Sequence, residues 1–560
     1  MNYALLKRSL DLKTAVSWMP RDSKDDFFPD PIGWSDIREF PEEFISRREH
    51  RFLQTDALPH LTEYVPKKSG MLREAVWLHP CHRILYLAVL NRLLARLDSR
   101  LCAEVYSYRA DNSAEPDSYP FDKRMDRWKD FHNDFRRAAL DCNTGAVLLT
   151  DVASYFDHIQ IGQLGQRIDS ILAGMVDEGD REVVDFLMRL LKMWGHEGFG
   201  MPHNLDPSSV FGSVYLHNVD RQMVGNRYRY FRWSDDIRVV AKNRGQALRA
   251  LHDLQRALAH HRLFLATDKT HIYERGSDEF TRLLDVDDDV LISRAEAATT
   301  RGLKVELEAL AGELLERLEF HSSAEGDDRK FRAFANRLLD ISDFEEVDRK
   351  ITPRVHAFVI PRLDTHPERS DYWATMLAAR PDADAGAALK VHLIDRPSPF
   401  DWQRFHLWRL ATQLPRELIP EELFSKATEV SGSTLSENVA AQSIVFLGRH
   451  SDNTTRENLY ARLFTTQRSY VVQRAVLIAI QELPSREHYY QRSLEVNSDY
   501  TELVKYLSQR GSADYGLRPR STRHCQEEPK PLQHVIYRGI GLARGKVVTF
   551  RLSRLDYDYE

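Results

Sequence analysis

Four short segments, in fixed chain order, carry residues whose types and spacing suit phosphoryl transfer. LLTDVASYFDHI (148–159) ends an apolar run in Asp151, with Phe156 five positions on. GFGMPHNLDPSSVFGSVYLH (198–217) is a turn rich in Gly, Pro and Ser that leads into a helix. WSDD (233–236) sets Asp235 and Asp236 side by side, and LFLATDKT (263–270) brings in Lys269. A carboxylate at the end of a buried strand costs free energy unless something offsets its charge. Two strand-borne acids from separate segments hold two divalent cations, roughly 3.5–4 Å apart, for in-line displacement at phosphorus. Hard Mg²⁺ takes carboxylates, water and substrate phosphates, so no His or Cys cluster is needed. Singly the signals are ordinary. An Asp-Asp pair is usually a solvated turn, and an Asp after a strand is often a helix N-cap. Their order and combination point to chemistry.

The elements that must position these residues follow from periodicity. Thr144–Asp151 reads as a short buried strand, and Tyr228–Ala241 as two strands flanking an acidic turn. Arg83–Leu97 has the spacing of an amphipathic helix facing a core. Residues 1–60, with Pro20, Pro29, Pro31 and Pro41, read as an N-terminal extension with little regular structure beyond a first helix. Residues 61–280 mix helix and strand, and from 281 to 560 helical periodicity takes over. Segments 321–330 and 381–388 have linker composition. Two helical segments, from Asn438 and from Tyr470, resemble each other, with Val439, Ser443, Ile444 and Leu447 matching Val471, Ala475, Val476 and Ala479. Such a repeat length suits stacked helical hairpins of the HEAT kind, with an irregular helical domain as the alternative.

Composition bounds the reading. The chain has 560 residues with a formal charge of −6, and is 42% hydrophobic and 29% charged. That is ordinary for a folded multidomain protein and excludes general disorder. Nucleic-acid contact must come from local patches rather than from net charge. One such patch is the tail Arg510–Arg554, with ten basic against three acidic residues and interleaved aromatics. Arg518, Arg520, Arg523 and Lys546 are its expected phosphate contacts, with a solvated surface stretch as the alternative. The four cysteines are scattered, with no zinc-type spacing. No membrane span or signal core is evident, so a cytoplasmic location is the default expectation.

The four segments together resemble the reverse transcriptases. The first is similar to palm motif A, with the D-x4-F-D pattern at Asp151, Phe156 and Asp157. The second is similar to motif B, with Pro202 and Ser208 at the family's spacing. The third resembles motif C, with Asp235 and Asp236, and the fourth motif D, with Lys269 and Thr270. Upstream, residues 66–94 resemble the fingers region, with Arg73 and Arg83 in its basic positions. The SDDIRVV form of motif C, the VYSYR segment (105–109), a Trp-containing helix near Trp128 and the long helical C-terminal half are similar to the bacterial defence-associated, abortive-infection group. His203-Asn204 after the motif B proline, Trp233 in motif C and the absence of a thumb segment depart from the common pattern. They bear on the grip of a template–primer duplex more than on catalysis.

The resemblance implies an α+β fold: a right-hand fingers–palm domain over 61–280, then an all-α, HEAT-like repeat domain over 281–560 in place of a thumb. It implies Asp151 and Asp235 as direct Mg²⁺ ligands, with Val152 in the metal set and Asp236 as adjacent ligand or support. Nucleotide contacts would come from Arg73 and Arg83, from Phe156 as a block to a ribose 2′-OH, from Pro202 and Ser208, and from Lys269 at the leaving pyrophosphate. The implied partners are dNTPs, a DNA product, a non-coding RNA as template or no template at all, protein priming from a Tyr or Ser hydroxyl, a homo-oligomer and a phage trigger. The alternative from another class is a polymerase-fold scaffold whose helical half senses phage factors or drives assembly.

Overall fold

The computed structural model describes residues 2–48, 58, 60–115, 118–174, 177–323 and 326–516, with the backbone of 537–543 and 546–552. Helices dominate. The strands form a hairpin of β1 (His60–Pro66) and β2 (Leu72–Leu78), and an antiparallel sheet of β3 (Ala146–Asp151), β4 (Arg229–Trp233), β5 (Asp236–Ala241) and β6 (His271–Glu274) in the order β4-β5-β3-β6. A terminal hairpin joins β7 (Tyr537–Ala543) to β8 (Lys546–Leu552).

Strand alternation sorts the sheet's two faces. Ala146, Leu148, Ile237 and Val239 pack into the main core of the sheet-bearing half, while Val147 and Val240 pack with Phe135, Phe280 and Leu284 on the other face. Helix Arg124–Leu140 supplies Phe135 to that second face. Helix Pro80–Asp98 is more than amphipathic: Cys81 to Leu90 is buried on every side, which makes it the central helix of this half. Its two solvent-side arginines are still tied down, with Arg92 bonded to Asp177 at 2.6 Å and to Asp180 at 2.8 Å.

The N-terminal 48 residues contradict the expectation of little regular structure. They form helices Tyr3–Ser9, Leu12–Asp22, Ser35–Glu39 and Pro41–Arg48. The prolines do not forbid this, because Pro41 opens a helix and Pro20 lies in a helix's last turns. The segment straps the two halves together. Leu6, Trp18 and Phe44 enter the core of the sheet-bearing half, whereas Phe28 and Ile32 enter that of the helical half. Arg474 reaches Asp30 and Asp36 at 2.6 Å, with all three side chains buried.

The helical half begins beyond Leu284, the last core residue of the sheet's second face, and its core runs from Leu291 to Tyr515. Helices Asp401–Gln413, Glu437–His450 and Tyr470–Ala479 pack side by side, each followed by an outer helix. Gly448 permits the tightest approach, since a Cβ there would lie 2.4 Å from the Ala479 Cα. The sequence repeat from Asn438 and Tyr470 is therefore a pair of neighbouring inner helices, capped alike by Ser436 and Ser469. Residues 381–388 are not a linker: Asp382 caps helix Ala383–Lys390. Val65 and Ala75 of the β1–β2 hairpin belong to the helical half's core, so that hairpin is packed against it. No helix among the described residues is long and apolar enough to cross a membrane.

Candidate active site

The acids meet where β3 ends and the β4–β5 turn begins. Asp151 is the register partner of Asp236 on β5, and Trp233 closes the turn opposite Asp236. Between them, Ser234 adopts φ 54°, in the left-handed region that a non-glycine residue keeps only when its surroundings enforce it. Here Ser107 Oγ accepts from the Ser234 N–H at 2.9 Å, and Arg232 donates to the Ser234 carbonyl at 2.8 Å. Arg232 is itself fixed by a fully buried pair with Asp220 at 2.7 Å, and Tyr230 donates to the same carboxylate. The VYSYR segment supplies Ser107 by running along the β4 edge, where Val105 bridges Arg232. The turn bearing Asp235 is thus rigidly seated.

Burial, then the charge of Asp235, pushes the Asp151 carboxyl up to about 7. The Val152 N–H donates to the Asp235 carbonyl at 3.2 Å, which locks the two segments together. Lys269 donates to Asp151 Oδ2 at 3.1 Å from a 3₁₀ turn, and Ala266 N–H bonds the Asp151 carbonyl. Burial would lower the Lys269 ammonium, but the Asp151 charge outweighs it and raises it. Arg73 on β2 lies within the field of Asp235, Asp157 and Asp151. Two crowded carboxylates in an all-oxygen donor set are what a hard divalent cation stabilises, and Asp151 with Asp235 could supply them.

Asp236 behaves differently. Its Oδ2 accepts from Arg238 at 3.2 Å and from Arg329 at 3.3 Å. Its charge is met by two guanidiniums. Among the described residues, the cluster of three ligating groups within 4.8 Å is His356, Asp382 and Asp384, in the helical half. A cation there would oppose the positive helix end that Asp382 already caps.

Phe156 is partly buried against the core of the sheet-bearing half. Its ring lies edge-on to His203 at 5.2 Å, and His203 Nε2 is 2.6 Å from Asp157 Oδ1. Burial would raise the Asp157 carboxyl, but the His203 bond, with Lys67 and Arg73 nearby, holds it below the usual range. His203, next to Pro202, thus packs on the Phe156 ring and bonds the neighbouring Asp157.

Other expected nucleotide contacts turn elsewhere. Arg83 is buried in a pair with Asp22 and Asp26, the latter at 2.7 Å, and serves the N-terminal strap. The run of apolar helix around it left burial as its only option, and two acids from the strap offset its charge. Ser208 is fully buried and shares a hydrogen bond with Tyr86 at 3.0 Å. Pro202 is buried at the turn. Val152 has a buried side chain, leaving only its main chain beside the acids. Arg518, Arg520 and Arg523 lie outside the described residues, and for Lys546 only its backbone position, opening β8, is described.

The site contacts of His203, Arg232, Arg238 and Arg329 escaped sequence reasoning. His203 carried a signal, as a departure from the motif B pattern. Arg329 carried none, since it lies within a segment of linker composition more than ninety residues beyond the acidic turn.

No protein-family model matches the chain, and no curated protein matches it. Among solved structures it is similar to telomerase from Candida albicans in complex with a TWJ fragment of telomeric RNA, at 10% identity and TM-score 0.30, over 85% of this chain and 68% of that one. It is likewise similar to apo telomerase from Candida tropicalis, at 10% identity and TM-score 0.30, over 85% of this chain and 74% of that one.

Proposed function

We propose that this chain is a nucleotidyltransferase of the reverse-transcriptase type, with β1–β2 as its fingers hairpin and the four-stranded sheet as its palm. One observation carries the reading: Asp151 and Asp235 crowd together at a strand end and a rigid turn, with Lys269 bonded to Asp151 and Arg73 within the field of both. Asp151, Asp235 and the main chain at Val152 would hold Mg²⁺. When bound, Mg²⁺ lowers the pKa of an attacking hydroxyl and offsets charge on a triphosphate. Arg73 binds the triphosphate, because guanidinium matches phosphate oxygens bidentately. Lys269 stays protonated beside Asp151 and gives charge or a proton to the departing pyrophosphate. Phe156, backed by His203, excludes a 2′-OH and selects dNTPs.

The defence role, an RNA template, protein priming and a homo-oligomer rest on the motif resemblance. The second reading, a scaffold whose helical half senses phage factors or drives assembly, is favoured by the side-by-side inner helices, an arrangement that presents extended binding surfaces. Purified protein given labelled dNTPs with Mg²⁺ tests the first reading. Incorporation lost in Asp235→Asn supports it, and incorporation unchanged in that variant rejects it. Phage protection that persists in Asp235→Asn cells selects the scaffold. Label that stays with the polypeptide through denaturation marks protein priming.

A further inference from the structure

Helix Asp328–Ile341 belongs to the helical half, yet its first turn reaches the acid site. Arg329 Nη1 donates to Asp236 Oδ2 at 3.3 Å, and its guanidinium lies 3.7 Å above the centre of the Trp128 ring. Arg238 donates to the same oxygen and stacks on Phe131 and Phe135, at 4.5 and 5.0 Å. Asp236 is therefore gripped by two guanidiniums, each backed by an aromatic face. The approach of Arg329 is fixed. Asp327 Oδ1 accepts from the Arg329 and Lys330 N–H groups, and Lys330 Nζ bonds Asp288 at 2.7 Å. The same segment meets the fingers hairpin, where Lys68 donates to the Gly326 carbonyl at 3.3 Å.

We propose that Arg329 is a positioning residue through which the helical half sets the placement of the catalytic turn. This rests on the polymerase reading of that site. Asp235 is one peptide unit from Asp236, so the grip on Asp236 holds the backbone turn that carries Asp235. Arg329 comes from a different half than Arg238. A binding event or subunit contact that shifts helix Asp328–Ile341 withdraws one of the two cations and changes both the orientation and the field at the acids. The helical half thereby acts on catalysis through a specific contact rather than through distance alone.

The test uses the full chain as Arg329→Gln, Arg329→Lys, Asp236→Asn and the Arg329→Gln/Asp236→Asn double variant. Three quantities are read: Mn²⁺ affinity, dNTP incorporation and the urea midpoint. Removing a cation near the acids strengthens Mn²⁺ binding, by about threefold in Arg329→Gln, whereas mere loosening of the fold weakens it. In the same variant kcat falls about tenfold with the dNTP KM within about twofold, and Arg329→Lys recovers part of the loss. In the double variant, loss of Arg329 adds nothing to the effect of Asp236→Asn on kcat or on the midpoint. Additive effects, or weakened Mn²⁺ binding in Arg329→Gln, overturn the proposal. Should Arg329→Gln fail to fold, Trp128→Leu, which removes the ring under the guanidinium, must tighten Mn²⁺ binding in the same direction. Wild-type protein that binds Mn²⁺ but incorporates no dNTP rejects the polymerase reading alone, since the Mn²⁺ and midpoint cycles still read the contact. Wild-type protein that binds no Mn²⁺ overturns both.

Discussion

Asp151 stands opposite Asp236 in the register of β3 and β5, yet Asp235, in the turn, is the acid whose charge weighs most on it. Asp236 is occupied by Arg238 and Arg329. Two adjacent aspartates thus have separate surroundings that their sequence position does not reveal.

The two acids should separate on mutation. Asp235→Asn is expected to lower Mg²⁺-dependent dNTP incorporation by about 10³-fold or more, as loss of a central electrostatic group does. Asp236→Asn should cost roughly tenfold, the scale of a lost orienting contact. Initial rates across a Mg²⁺ titration measure both.

Sugar selection should depend on the support of Phe156. Phe156→Ala is expected to raise NTP use relative to dNTP use by about 10-fold or more, a modest pocket change in free energy. Gly212→Ala should disturb the same ring from below, because its Cβ would lie 3.3 Å from Phe156 and 3.1 Å from Tyr155. The ratio of kcat/KM values for a dNTP and its NTP decides, and an unchanged ratio in Phe156→Ala removes the gate from the mechanism.

Arg83 should matter for folding and not for nucleotide binding. Arg83→Met leaves Asp22 and Asp26 buried without their partner, which costs about 3–5 kcal/mol. The urea midpoint should fall, while any folded fraction keeps the wild-type dNTP KM. A selectively raised KM would return Arg83 to the nucleotide site.

The acid limb of stability should carry a signature of Asp288. Burial would raise this carboxyl, but the His321 and Lys330 bonds outweigh it and hold it far below its ordinary value of 3.8. A depressed carboxyl contributes stability above the unfolded value, and that contribution drains away as pH falls below about 4. Asp288→Asn should lower the urea midpoint at pH 7 and flatten its decline below pH 4. A parallel decline in both proteins refutes the assignment.

Gly448→Ala tests the stacked helices. With the Ala479 Cα 2.4 Å from the new Cβ, helices Glu437–His450 and Tyr470–Ala479 must separate. Overpacking of this kind costs about 1–3 kcal/mol. Calorimetry should show a lower Tm, and an unchanged Tm would mean that the pair is looser than its geometry.

The amino-acid sequence by itself determined what local pattern and composition can express. Asp151 at the end of an apolar run, Asp235 in a tight turn, the helical second half and the repeat from Asn438 and Tyr470 were all readable, because each depends on neighbours a few residues away. Tertiary structure decided the rest. Arg83 looks like a phosphate contact until Asp22 and Asp26 fold onto it from the strap. Ser208 looks like a pocket residue until Tyr86 takes its hydroxyl into the core. Residues 1–48 look irregular because their apolar side chains are shared between two cores. Arg329 is placed by the packing of a helix that starts more than ninety residues after Asp236, the acid it contacts. Partners brought together by long-range packing leave no local period or motif, so only the folded chain could assign them.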